Sequence, residues 1–456
     1  MKTRRILALL MAVLMLVGCM AACGSKEESK KETAAPAGTN GAGTTENAGN
    51  VEAAADAFSA DFIAEWGQFI ADNEGKDINL TIWAPSAAQD VFKAEADNFA
   101  NLFKDYFNAN ITVAIQEEGD TAGQVINDPK KAADVFSFPS DQLNKLINAE
   151  AIATVVFADE VASANTASSV SAATVDGSIY AYPETGDNSY FLAYDKNFLT
   201  EDDVKSLEGI LAACKAAGKK FTFNSGNSYF ACTYLYTGGV QTLGLEDDGL
   251  TQKFNDYDIT EVTNTVKAFA DLFKSYKGTF ESAETTAFAD GVKVDPTTVA
   301  AGVIGSWDVA SVKQILGDNV GFAILPTINV NGTDKQLINM FGYKYLGVNS
   351  QSAAPYAAQL LAYYLAGEEC QIDRAQKLEW GPSNINAQNL DEVKNNPSMV
   401  AILAQSANSM PQVGIANTFW SPLDGLGKYV ADDSKSFSFE EVKEQVEACI
   451  INILDE

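Results

Sequence analysis

Alternation is the first signal in this chain. Residues 78–83, Ile-Asn-Leu-Thr-Ile-Trp, carry an apolar side chain at every second position, the pattern of a strand with one buried face. Phe92, Ala96, Phe99, Leu102 and Phe103 then recur at three- and four-residue spacing, which predicts an amphipathic helix. Residues 110–116 and 134–138 predict two more strands. A helix is expected to start near Ser140 and Asp141, with Leu143 and Leu146 facing inward. This rhythm predicts an α/β fold, a mostly parallel sheet with helices on both faces. Residues 179–183 and 190–194 predict two short strands interrupted by the polar run 184–188. Helical patterns dominate from about 200 to 300. A strand at 321–325 stops at Pro326, and helices return from about 354 to the C-terminus. No repeat of fixed period is present.

The first residues break this rhythm. Lys2, Arg4 and Arg5 precede an uncharged apolar run over 6–18. The run is short for a bilayer span, and its flanks predict a secretory signal over 1–22. It ends in Leu16-Val17-Gly18-Cys19 and Met20-Ala21-Ala22-Cys23. Each resembles the lipobox of bacterial lipoproteins, in which the cysteine thiol takes a diacylglycerol and becomes the first residue. Cys23, or alternatively Cys19, is the expected lipidation site. Two acyl chains suffice for stable anchoring, since each buried methylene contributes about 0.8 kcal/mol. Residues 23–50 are small and polar, too poor in apolar surface to fold, and predict a flexible tether. Phe58, Phe62, Ile63, Trp66, Phe69 and Ile70 predict an amphipathic helix within 51–77.

Composition narrows the chemistry. Acidic residues outnumber basic ones by 61 to 31, a formal net charge of −30. Nucleic acid and anionic lipid surfaces are excluded as partners by repulsion, whereas a neutral or cationic ligand fits. The chain has no histidine. That excludes Ser-His-Asp and Cys-His catalysis and removes the commonest zinc ligand. No phosphate loop is present, and no metal or cofactor is expected. A secreted glycoside hydrolase with two carboxylates survives the absence of histidine, but no motif suggests the required pair. Cys214, Cys232, Cys370 and Cys449 form no CxxC and are expected to be buried free thiols.

A set of motifs in fixed order adds a family. These are Asn79-Leu80-Thr81-Ile82-Trp83, Ala133-Asp134-Val135-Phe136 with Asp141, and Gly177-Ser178-Ile179-Tyr180-Ala181-Tyr182-Pro183 followed by Tyr194-Asp195-Lys196. Phe223-Asn224 with Tyr229-Phe230, Gly305-Ser306-Trp307, Ile324-Leu325-Pro326, and Met410-Pro411 with Phe419-Trp420 complete it. From about residue 78 to 430 the chain resembles the extracellular solute-binding proteins of carbohydrate ABC importers, nearest the maltose/maltodextrin binders. The resemblance implies two α/β lobes joined by crossing strands, with the ligand in the cleft between. One lobe would comprise 78–185 with 319–366 and the other 189–316 with 369–456, with crossings near 184–188, 318 and 367.

The resemblance also implies the site. Trp307 and Trp420 match stacking tryptophans, and Tyr229 and Phe230 match an aromatic pair beside them. Phe138 stands where the family often has tryptophan. Asp141 matches a sugar-binding carboxylate, and Asp187 replaces a longer glutamate. Trp83, at the end of the first strand, is a further candidate, and Trp380 is open between core and cleft. Aromatic faces for C–H surfaces, interleaved with polar groups for hydroxyls, suit an oligosaccharide. Several charged positions of the pattern are changed: Asn227, Gln142, Ser421 and Asp424 stand in for charged or aromatic residues. The implied protein is a monomeric binding protein, not an enzyme. It would capture maltodextrin or another oligosaccharide and deliver it to permease subunits driven by an ATPase. It would be held by its lipid on the outer face of a Gram-positive-type cell membrane.

Overall fold

The computed structural model describes residues 60–283 and 298–455. The expected signal segment, Cys19, Cys23, the tether and the start of the first helix lie outside the described residues. Helix α1 (Ala60–Asn73) brings Phe69 against Phe107 and Tyr356 and buries Ile70. Strand β1 (Asp77–Ala84) buries Ile78, Leu80, Ile82 and Ala84 and leaves Asp77 and Asn79 in solvent, as its alternation predicts. Helix α2 (Gln89–Phe103) lays Phe92, Ala96, Phe99 and Phe103 into the same core. β1 pairs in parallel with β2 (Asn108–Ile115) along its whole length and with β3 (Val135–Pro139) at Ile82 and Trp83.

The next strand departs from expectation. In place of two short strands, β4 (Tyr182–Asp195) is one fourteen-residue strand, buried throughout. The segment 200–300 also holds strands between its helices. Those of the large sheet are β5 (Lys220–Thr222), β6 (Phe280–Glu281) and the start of β7 (Val299–Gly305), with helix α3 (Ser228–Thr237) among them, and Thr242–Leu245 pairs with Gln252–Phe254 as a separate antiparallel ribbon. β8 (Val320–Ala323) and β9 (Asn339–Val348) follow. The chain continues through helices α4 (Pro355–Leu365), α5 (Glu368–Leu378) and α6 (Pro397–Ser406), strand β10 (Ser409–Pro411) and helix α7 (Trp420–Ala431).

Ten strands of the described residues form one sheet, in the order β6-β5-β7-β4-β9-β3-β1-β2, with β8 on β4 and β10 on β9. Within this sheet β4 pairs antiparallel with β7, β8 and β9, and β9 antiparallel with β3; the other pairings, β9 with β10 included, are parallel. Tyr182 of β4 pairs with Leu346 and Ser189 with Phe341, whereas Tyr190–Tyr194 pair with β7. β9 runs from β10 at Asn339 to β3 at Val348. These two strands therefore carry the chain from lobe to lobe.

The lobe limits shift from those expected. Residues 320–340 belong to the second lobe, because β8 pairs with Leu192–Asp195, and Leu325, Ile328, Val330, Leu337 and Met340 share a core with Phe221 and Val266. The second passage is thus β9, not Asp318. Residues 368–384 remain with the first lobe: Arg374 is paired with Glu95, and Asn384 bridges Asn165. Helix α6 packs Ala401 and Ile402 against Phe191 and Ile304 of the second lobe, so the third passage lies between 385 and 397 rather than at Gly367. Cys214, Cys232, Cys370 and Cys449 are free and buried.

Candidate binding cleft

β7 is buried along its length and ends at Gly305, after which a 3-10 turn, Ser306–Asp308, presents Trp307. The indole folds back over Gly305 so closely that a Cβ there would sit 2.2 Å from its ring atoms. Glycine is required by this approach. Gly305→Ala should displace Trp307, changing its fluorescence and weakening ligand binding several-fold. Unaltered emission and affinity would show that the turn absorbs the methyl.

Trp307 meets Tyr229, ring centroids 6.0 Å apart and inclined at 47°. Tyr229 lies in the first turn of α3, where its hydroxyl donates to Asn188 O on β4 at 3.3 Å and Tyr190 meets its ring edge-on. Asn227 caps this helix, its Oδ1 accepting from Tyr229 N at 3.0 Å. Asp424 of α7 accepts from Ser228 N at 2.6 Å, a carboxylate at a helix N-terminus. Both polar groups are thereby committed to holding Tyr229.

Behind Trp307 lies a buried charged group. Lys344 of β9 pairs through Nζ with Glu118 Oε2 at 2.7 Å, with its ammonium 4.6 Å from the Trp380 ring and 5.5 Å from the Trp307 ring. Asp187 on β4 is buried and accepts from Gly381 N at 2.6 Å. Glu184 accepts from Ser137 Oγ at 2.5 Å. On the other side, Gln412 joins both lobes. Its Nε2 donates to Asp141 Oδ1 at 2.7 Å, its Oε1 accepts from Asn188 Nδ2 at 2.8 Å, and its carbonyl accepts from Ser140 Oγ.

The structure thus joins Trp307, Tyr229, Asp187 and Asp141 through the crossing strands. Trp83 and Trp420 have no part in that chain of contacts. Trp83 lies half-buried against the core containing Phe136, and Trp420 opens α7 half-buried, edge-on to Phe419 at 5.3 Å. The expectation that Phe138 and Phe230 line the groove is corrected. Phe138 shares a face of β3 with Phe136 and is fully buried against Tyr345. Phe230 follows Tyr229 on a helix and so turns about 100° away from it, into the core against Phe223 and Tyr190. Lys344, Glu118 and Gln412 are not singled out by sequence pattern. An ionisable residue inside an otherwise apolar strand is the signal that marks Lys344.

The profile of bacterial extracellular solute-binding proteins matches residues 96–401. The chain belongs to this family. Among solved structures it is similar to one determined with acarbose, at 27% identity over 83% of this chain and 99% of the other, with a TM-score of 0.73. It is also similar to a maltodextrin-binding protein from L. casei BL23 without ligand, at 24% identity over 83% and 100% of the two chains, TM-score 0.68. A third, the Thermus thermophilus maltotriose-binding protein bound with maltotriose, shares 18% identity over 82% and 98%, TM-score 0.68. At these lower identities the second and third show the fold. No curated protein sequence matches the chain.

In this solute-binding protein the buried carboxylates set a pH dependence. Burial raises Asp141 and Glu184 to about 7 and Asp187 to about 6; the Arg374 charge at Glu184, and hydrogen bonds from Gln412, Ser137 and Gly381 N, only partly oppose it. The unfolded chain ionises these groups near 4, so between about pH 4 and 7 the native state holds more protons. Stability should be fullest below about pH 4 for these groups and fall as pH rises towards 7. Unfolding temperature is expected to be higher at pH 5 than at pH 8, with a smaller difference in Glu184→Gln and Asp141→Asn. Variants with the wild-type pH slope would refute the assignment.

Proposed function

We propose that this chain is the sugar-receptor subunit of an ABC importer, capturing maltodextrin or a related α-glucan oligosaccharide and delivering it to a membrane permease. The observation that carries the reading is the half-buried Trp307–Tyr229 surface set beside buried carboxylates and amides on the two crossing strands. Trp307, Tyr229 and Trp420 would supply stacking faces, with Trp83 a further candidate, and Asp141 and Asp187 would accept from hydroxyls. Phe230, edge-on to Tyr229 at 5.6 Å, positions that ring from behind. Asn227, exposed, holds Tyr229 through its Oδ1 and would leave its amide N–H group for a hydroxyl. In this mechanism the sugar is loaded on one lobe, the other closes over it about β4 and β9, and the population shifts because the ligand binds the closed state more tightly. The likeness to a structure solved with acarbose supports the ligand class.

The N-terminal cysteine motif completes the proposal. Lipid on Cys23, or alternatively on Cys19, would anchor the receptor to the outer face of the membrane, and residues 24–50 would act as a leash of roughly 30 Å r.m.s. if fully flexible. Such a leash raises the local concentration for docking on the permease. Calorimetry against maltose, maltotriose, longer and branched glucans should give saturable binding, with xylo- and galacto-oligosaccharides weak or silent. Heat from the controls and none from any glucan would favour a different oligosaccharide. Palmitate labelling of Cys19→Ser and Cys23→Ser identifies the anchor residue, and labelling that persists in the double variant would dismiss both.

A further inference from the structure

Two indole faces beside three carboxylates are the chemistry of an ammonium site. Aromatic faces attract cations, and desolvated carboxylates strengthen the attraction. Here the chain fills that site itself. Lys344 Nζ lies 2.7 Å from Glu118 Oε2 and within cation–π distance of both Trp307 and Trp380. Burial disfavours its charge, but Glu118, together with Glu184 and Asp187, holds its pKa above the ordinary ammonium value. The side chain is 4% exposed. Four other segments converge on this ammonium of β9: the turn after β2, strand β4, the loop after α5, and the turn after β7 in the second lobe. A lysine that served only surface charge would not draw them together.

We propose that Lys344 is a specificity-determining residue, the built-in occupant of an aromatic–carboxylate cage at the base of the cleft, which makes the site refuse cationic ligands such as amino sugars and admit neutral saccharides. The overall charge of −30 leaves a cationic ligand open; this local arrangement closes it, because a ligand ammonium entering the cleft meets a like charge already holding the carboxylates and the indole faces. The preference for neutral sugars rests on the saccharide reading above. The cage does not.

The test therefore separates the two. Lys344→Ala removes the atoms that n-propylammonium can replace. Titrating the variant with propylammonium chloride should give a saturable change in tryptophan fluorescence and a rise in unfolding temperature. 1-Propanol and sodium chloride at equal ionic strength should not reproduce this, and the wild-type protein should not show it. A variant that responds no more than wild type, or equally to propanol, overturns the cage. If Lys344→Ala does not fold, the near-isosteric Lys344→Met decides. Its affinity for a glucosamine disaccharide relative to maltose should rise at least tenfold over the wild-type ratio, and an unchanged ratio overturns the proposal. If wild type binds no saccharide at all, only the saccharide reading falls, and the propylammonium titration still decides the cage.

Discussion

Replacing Arg374 by alanine should destabilise the first lobe by about 3–5 kcal/mol, the cost of leaving one member of a buried ion pair alone. Arg374 is 1% exposed, its Nη2 donates to Glu95 Oε2 at 2.7 Å, and its guanidinium lies 4.4 Å from the Phe92 ring. It is also the main attraction opposing the desolvation of Glu184. Its loss would strand two buried carboxylates and open a cavity between α2 and α5. In thermal and denaturant unfolding an early transition of the first lobe should appear, its midpoint lower by roughly 6 °C or more. Removing both partners together, as Glu95→Leu with Arg374→Met, should recover part of the loss, because Glu95 is then no longer buried alone and only Glu184 still lacks the attraction of Arg374. A single variant that unfolds with the wild type would contradict the burial of this pair.

The second large effect concerns the ligand. Trp307→Ala should weaken glucan binding by about 2 kcal/mol or more, roughly 30-fold, the scale of a buried aromatic anchor. Trp307 offers a stacking face, orders Tyr229 and closes one side of the Lys344 cage, so three contacts fail together. Calorimetry on Trp307→Ala and Trp307→Phe separates them. Phenylalanine should recover part of the affinity by retaining a ring, whereas a variant binding as tightly as wild type would remove Trp307 from the site. Folding of both variants is checked by unfolding temperature, since Trp307 is only partly buried.

What the sequence made legible depended on local repetition. β1 and α2 announce themselves through Ile78-Leu80-Ile82 and Phe92-Ala96-Phe99-Phe103, patterns that need only a few neighbouring residues. β4 did not, because a buried strand is expected to be apolar and its centre reads Glu-Thr-Gly-Asp-Asn-Ser. Three of those side chains are satisfied from far along the chain: Asp187 by Gly381 N, Asn188 by Gln412, and Ser189 by the Met340 carbonyl. Partners so remote leave no local trace. β9 was obscured by Gly342, Lys344 and Gly347, and β7 by its run of alanine and glycine, for which helix and strand propensities compete. The aromatic motifs named Trp307 and Tyr229, whose rings meet in the structure. Motif order alone could not say which way neighbouring rings turn, so Phe138 and Phe230 fell on the wrong side of their elements.

The interleaving of the lobes has a consequence for how the molecule is assembled. β3, complete by residue 139, waits for its partner β9 at 339–348, and the Glu95 carboxylate waits for residue 374. During synthesis the first-lobe sheet therefore keeps an open edge until most of the chain has emerged. Contacts of such long sequence separation are slow to form. A newly made chain would therefore leave its first lobe unfinished for longer than one built from contiguous domains.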